Sequence, residues 1–195
     1  EHLLERAELL PELRALGAAF VVSAFESTSD LVLQKLRKGH SAADLDRALT
    51  ILETADLPVR STWVPFTPWM TLSDYQAMLD WMEDRGLLAQ IAPVQLSIRL
   101  LVPPGSALLT VNGSNGWAGP LDAPNFGHHW VHPDPRMDRL QKTVADLAER
   151  YADDNTLAMT AIYEAAHNLT EKARPRRRIE VPDFQGPRLT EDWFC

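Results

Sequence analysis

Apolar residues along the first hundred positions alternate between helical and strand spacing. Leu3, Leu4, Ala7, Leu10 and Leu13 follow a helical stripe that Gly17 closes as a C-terminal stop. Residues 18–25 (AAFVVSAF) form a short apolar run without alternation, which predicts a strand buried on both faces, as in parallel sheets. Ser27 to Asp30 supplies a cap and an early acid for a helix carrying Leu33 and Leu36, broken at Lys38-Gly39-His40. Ser41 and Asp44 have capping-box spacing before a helix with Leu45, Ala48, Leu49 and Leu52 on one face.

The pattern then repeats. Residues 57–65 predict a second strand, and Pro65-Phe66-Thr67-Pro68-Trp69 a rigid aromatic loop. Thr71 and Asp74 cap a helix with Tyr75, Met78, Leu79 and Met82, ending at Gly86. Residues 94–102 (VQLSIRLLV) alternate polar Gln95, Ser97 and Arg99 with apolar Leu96, Ile98 and Leu100, which predicts a third strand closed by Pro103-Pro104-Gly105. Residues 112–134 have no clear period and read as a long loop. Asp134-Pro135 opens a helix with Leu140, Val144, Leu147 and Tyr151, and a last helix carries Met159, Ile162, Ala166 and Leu169. The organisation expected is three βα-type units over 1–109, a long loop plus two helices over 110–171, and a basic extended tail over 172–195. The first strand is as apolar as a central strand yet has no predicted neighbour on its N-terminal side, so preceding strands are expected in a longer protein.

Composition narrows the function classes. The chain has 195 residues, 45% of them hydrophobic, and a formal charge of −8. This suits a globular domain and argues against nucleic acid as a generic partner. No apolar run reaches the ~18 residues of a membrane span and no signal peptide is legible, so a cytoplasmic location is expected. The one cysteine is Cys195, which excludes an intramolecular disulfide and an iron–sulfur site built from this chain alone.

FVVSAFES followed by VLQKLRKGHS resembles a recurring stretch of radical S-adenosylmethionine enzymes, in which a buried strand ends in Glu-Ser or Gln-Ser and the next helix ends in Lys-Gly-His. PFTPWMT and PPGS fall in the order and spacing of later turns of that superfamily. HPDPRMD and the ending RLTEDWFC resemble one of its subfamilies, with a Cys-Sec-Ala-Glu-Pro or Cys-Cys-Ala-Glu-Pro tail. The resemblance implies an α/β fold, the C-terminal part of a partial (β/α)6 barrel followed by a helical extension. It implies S-adenosylmethionine and a 4Fe-4S cluster as cofactors, a reductant supplying one electron, and a small molecule or peptide as substrate. The cluster ligands of such enzymes are three cysteines spaced CxxxCxxC, which this chain lacks. They are therefore expected outside it, and this chain by itself is expected to be inactive. Cys195 would be the first residue of a truncated redox tail.

Catalytic residues of βα barrels sit at the C-terminal ends of strands. That rule selects Ser23, Glu26 and Ser27 at the first strand, Pro65, Phe66, Thr67 and Trp69 at the second, and Arg99 with the Pro103–Ser106 turn at the third. By resemblance Glu26 is the ribose-contacting residue; the bland alternative is an acid placed near a helix N-terminus. Phe66 and Trp69 could flank adenine or simply pack. Arg99 could take a ligand carboxylate or form a structural ion pair. Two other functions compete. His128, His129 and His132 form an HHxxH cluster near Asp134 and Asp138, which suits a metal-dependent hydrolase or a loop packed over the barrel mouth. A non-catalytic interaction module is the third possibility. Lys172, Arg174, Arg176, Arg177 and Arg178 would either complement a helix end or bind an acidic partner.

Overall fold

A computed structural model describes residues 2–111 and 117–169. The tail over 172–195, with its basic run and Cys195, lies outside the described residues. The fold is mixed α/β. Helices α1 (His2–Glu5) and α2 (Leu10–Ala15), joined by a 3-10 turn at Ala7–Leu9, lead into strand β1 (Val21–Glu26). Gly17, at φ 100°, makes the turn between α2 and the strand, where Ala18 N–H reaches back to Leu13 O at 3.0 Å. Helices α3 (Asp30–Leu36) and α4 (Ala42–Thr54) precede strand β2 (Val59–Trp63), and α5 (Leu72–Asp84) follows it. Both predicted capping pairs form: Ser41 N–H donates to Asp44 Oδ2 at 2.9 Å and Thr71 N–H to Asp74 Oδ2 at 3.0 Å.

Strands β1 and β2 pair in parallel, Val21 opposite Val59 through Ala24 opposite Thr62, with an irregularity before Glu26. Phe25, Trp63, Phe66, Tyr75 and the methionines of α5 are almost fully buried beneath this ladder. Trp63 stands edge-on to Phe25 and to Trp81, at centroid distances of 5.6 and 6.0 Å.

The third predicted strand does not form over its length. A 3-10 turn at Pro93–Ser97 occupies its first half, and pairing with the chain after β2 is reduced to one parallel bridge, Phe66 with Arg99. Side chains have taken the groups a ladder would use. Trp63 N–H goes to Gln95 Oε1 at 3.0 Å, Tyr75 Oη–H to Leu96 O at 3.0 Å, and Gln141 Nε2–H to Ser97 O at 3.1 Å. The polar–apolar alternation was misleading because Gln95 and Ser97 are themselves buried and hydrogen-bonded. The ladder among the described residues is two strands plus this bridge, not a three-stranded unit and not a closed barrel.

Helix α6 (Leu108–Val111) precedes the stretch expected as a long loop, and that stretch contains an antiparallel hairpin, β3 (Ala118–Asp122) with β4 (Gly127–Trp130). The strands approach closely at Gly119, where a Cβ would stand 2.9 Å from His129 O. The hairpin lies against the end of the bridge segment: His128 N–H donates to Val102 O at 2.8 Å and Trp130 Nε1–H to Leu100 O at 2.8 Å. Helices α7 (Pro135–Arg150) and α8 (Asn155–His167) follow as predicted, capped by Asp134 and Asp154. Their faces, with Met137, Leu140, Val144, Met159 and Ile162, close the core.

Candidate functional site

The C-terminal end of β1 is conformationally unusual. Glu26 has φ 66°, a region that non-glycine residues seldom adopt, and Ser27 N–H turns back to Phe25 O at 2.8 Å. These two features make a γ-turn centred on Glu26, a rare and strained conformation when φ is positive. The Glu26 carbonyl still accepts Val64 N–H at 3.0 Å, so the ladder holds the turn in place.

The Glu26 carboxylate is nearly buried, 8% exposed for the whole residue, and its Oε1 accepts from Lys38 Nζ at 2.6 Å. Lys38 arrives from the far end of α3. That helix ends at Arg37 with φ 54°, Lys38 N–H bonds Leu33 O at 3.1 Å, and Gly39 follows at φ 72°. This is a Schellman-type ending, and it swings the chain back over the end of β1. His40 Nε2 lies 3.5 Å from Phe25 O, which ties the same loop to the strand.

Glu26 and Lys38 line a cleft of about 550 Å³ together with Arg37, Arg99 and Ser106. Its apolar wall is made by Leu36, Val64, Ile98, Leu101 and Leu108. The cleft opens beyond the C-terminal ends of the two paired strands, where ligands of open α/β sheets bind. Its volume lies within the range of small-molecule sites.

Of the residues expected at the site, Glu26, Arg99 and Ser106 meet in this cleft. Arg99 is already engaged. It donates from Nη1 to Asp138 Oδ1 and from Nη2 to Trp130 O, both at 2.7 Å, and its guanidinium lies 3.5 Å from the Trp130 ring centroid. Its structural reading is therefore the one the geometry favours: it fastens the hairpin and α7 to the bridge segment. The others lie elsewhere. Ser23 is half-buried in β1, opposite Ser61 and outside the cleft lining. Ser27 is fully buried; its Oγ accepts Ser29 N–H at 3.1 Å at the start of α3 and contacts Met70 Sδ. Phe66 is core, 5.0 Å from the Tyr75 ring. Trp69 packs edge-on to Trp117 at 5.3 Å. Neither aromatic lines the cleft, and the apolar residues that do are aliphatic.

The histidine loop does not converge on a metal. His128 Nδ1 is 3.0 Å from Gly119 O, inside the hairpin. His129 is solvent-exposed, 3.6 Å from Asp122. His132 is buried, with Nε2 2.8 Å from Met70 O and Nδ1 accepting Asp134 N–H at 2.9 Å. Adjacent strand residues point to opposite faces, which separates the first two imidazoles. Among the described residues no three histidine, cysteine or carboxylate side chains are grouped to hold a metal ion. Asp138, expected near a metal, divides its carboxylate between Arg99 and His132 N–H.

Lys38 was missed as a site residue because the sequence read Lys-Gly-His only as a helix break. No local signal marked it: the left-handed residue that reverses the chain is Arg37, a position usually taken by glycine, and Gly39 lies two residues beyond it.

No helix among the described residues is long and apolar enough to cross a membrane. Compared with known protein families and with curated proteins, the chain matches none in sequence.

Proposed function

We propose that the cleft holds the nucleoside part of S-adenosylmethionine, and that the chain is the C-terminal part of a partial (β/α)6 barrel in a radical S-adenosylmethionine enzyme. The observation that carries this is the position of Glu26, a nearly buried carboxylate presented at the C-terminal end of a parallel strand into a cleft of small-molecule size. A carboxylate there accepts two hydroxyl hydrogen bonds, which suits a ribose diol. The wall of Leu36, Ile98, Leu101 and Leu108 offers an apolar face to a base. S-adenosylmethionine would supply the group that starts radical chemistry on a substrate; the residues here bind and orient it and exclude water.

The chain does not fit the 4Fe-4S cluster. Its one cysteine cannot replace three cluster ligands, so the cluster and the electron that reduces it would be supplied from outside these residues. The coding sequence on the amino-terminal side of Glu1 tests this reading. An in-frame CxxxCxxC within the same open reading frame is the expected result, and a reading frame without these cysteines overturns it.

A further inference from the structure

The Glu26 carboxylate could not stay aimed into the cleft unaided. A carboxylate on a side chain only 11% exposed needs a compensating charge or donor, and Lys38 Nζ, at 2.6 Å, is its one bonded partner among the described residues. Two segments with left-handed backbone produce this single contact. One is the γ-turn at Glu26, the other the Arg37–Gly39 reversal. Four non-glycine residues have positive φ among those described, and two of them, Glu26 and Arg37, border this cleft. Unfavourable backbone on both sides of one ion pair is what a preformed binding group needs and what a simple surface pair does not. Lys38 bonds only Oε1, which leaves Oε2 to accept from a ligand.

We propose that Lys38 is a positioning residue: its ammonium holds the Glu26 carboxylate ready to receive the 2′- and 3′-hydroxyls of a nucleoside. This rests on the ribose reading of the cleft. It adds that diol selectivity depends on a residue outside the strand ends, at the C-terminal side of α3.

The test is the ratio of affinities of the 195-residue chain for adenosine and 2′,3′-dideoxyadenosine, measured by calorimetry. Both ligands meet the same folded fraction, so the ratio does not respond to a change in stability. Wild type is expected to prefer adenosine about tenfold or more, since a site built to bond hydroxyls rejects a ligand lacking them. Glu26→Gln is expected to bring the ratio close to one. Lys38→Met is expected to lower it about fivefold, while Lys38→Arg, which keeps the cation, stays within about twofold of wild type. A wild-type ratio of one overturns the ribose reading and this proposal with it. A ratio that collapses in Glu26→Gln but stays at the wild-type value in Lys38→Met overturns the role of Lys38 alone. So does an equal fall in Lys38→Met and Lys38→Arg, which would make it an effect of shape and not of charge.

Discussion

Glu26–Lys38 and Arg99–Asp138 are ion pairs of nearly equal length, 2.6 and 2.7 Å, and both reach the same cleft. Their surroundings differ. Arg99 sits at a parallel bridge to Phe66, without a positive φ, and is held by Asp138, by the Trp130 carbonyl and by the Trp130 ring. Glu26 sits at φ 66°, and its carboxylate is held by one lysine. The Arg99 side chain thus joins three parts of the fold, whereas the Glu26 side chain, on a costly backbone conformation, fastens only the Lys38 loop. Bonding strength marks the structural pair, and strain with spare acceptor capacity marks the candidate binding group.

The largest effect that would break this contrast is on stability. Arg99→Ala removes two charge-assisted bonds and leaves Asp138 short of a partner, so it is expected to cost about 3 kcal/mol in urea denaturation. A loss below about 1 kcal/mol would mean that Arg99 is not the fastener. His132→Ala comes next, at about 2 kcal/mol, because Met70 O and Asp134 N–H both lose a buried partner. His129→Ala, at an exposed hairpin position, should stay within about 0.5 kcal/mol. Equal losses at the two histidines would contradict their separation.

Glu26→Gly probes the other ion pair. Glycine relieves the positive φ, a gain of about 1 kcal/mol, against the loss of a partly buried ion pair of similar size. Stability within about 1 kcal/mol of wild type is expected by the same denaturation. A loss above about 2 kcal/mol would make Glu26 a fastener like Arg99.

The smallest effect is confined to acid. Arg136, through its guanidinium and its backbone N–H, holds the Asp134 carboxyl down to about 2. The folded value lies below the unfolded one of roughly 3.9, so Asp134 adds stability above about pH 4 that is lost as pH falls toward 2. Denaturation midpoints of Asp134→Asn should fall less steeply than wild type across that window; parallel slopes would contradict the assignment.

What the sequence made legible was mostly short in range. Thr71 with Asp74, Ser41 with Asp44, and Asp134-Pro135 are local devices, and each appears where its spacing placed it. Helices α7 and α8 were legible from their apolar faces. The third strand was not, because its fate depended on distant partners: Gln95 reaches Trp63, and Tyr75 reaches Leu96. The hairpin β3–β4 escaped because glycine, proline and asparagine dilute its alternation, and its register depends on contact with residues 100–102. At the site, strand-end logic found Glu26 and Arg99 but not which was already occupied. That distinction lies in Asp138 and Trp130, some thirty or more residues away in the chain.

The nucleoside proposed for the cleft would enter beside Glu26. Titration of the 15N-labelled chain with S-adenosylhomocysteine, followed through its backbone amide signals, tests it most directly. Saturable shifts at Glu26, Lys38, Gly39, Leu101, Ser106 and Leu108 are predicted, with the exposed side of the hairpin near His129 unmoved. Saturable shifts centred on the hairpin, or none at Glu26 and Lys38 at millimolar ligand, would contradict it.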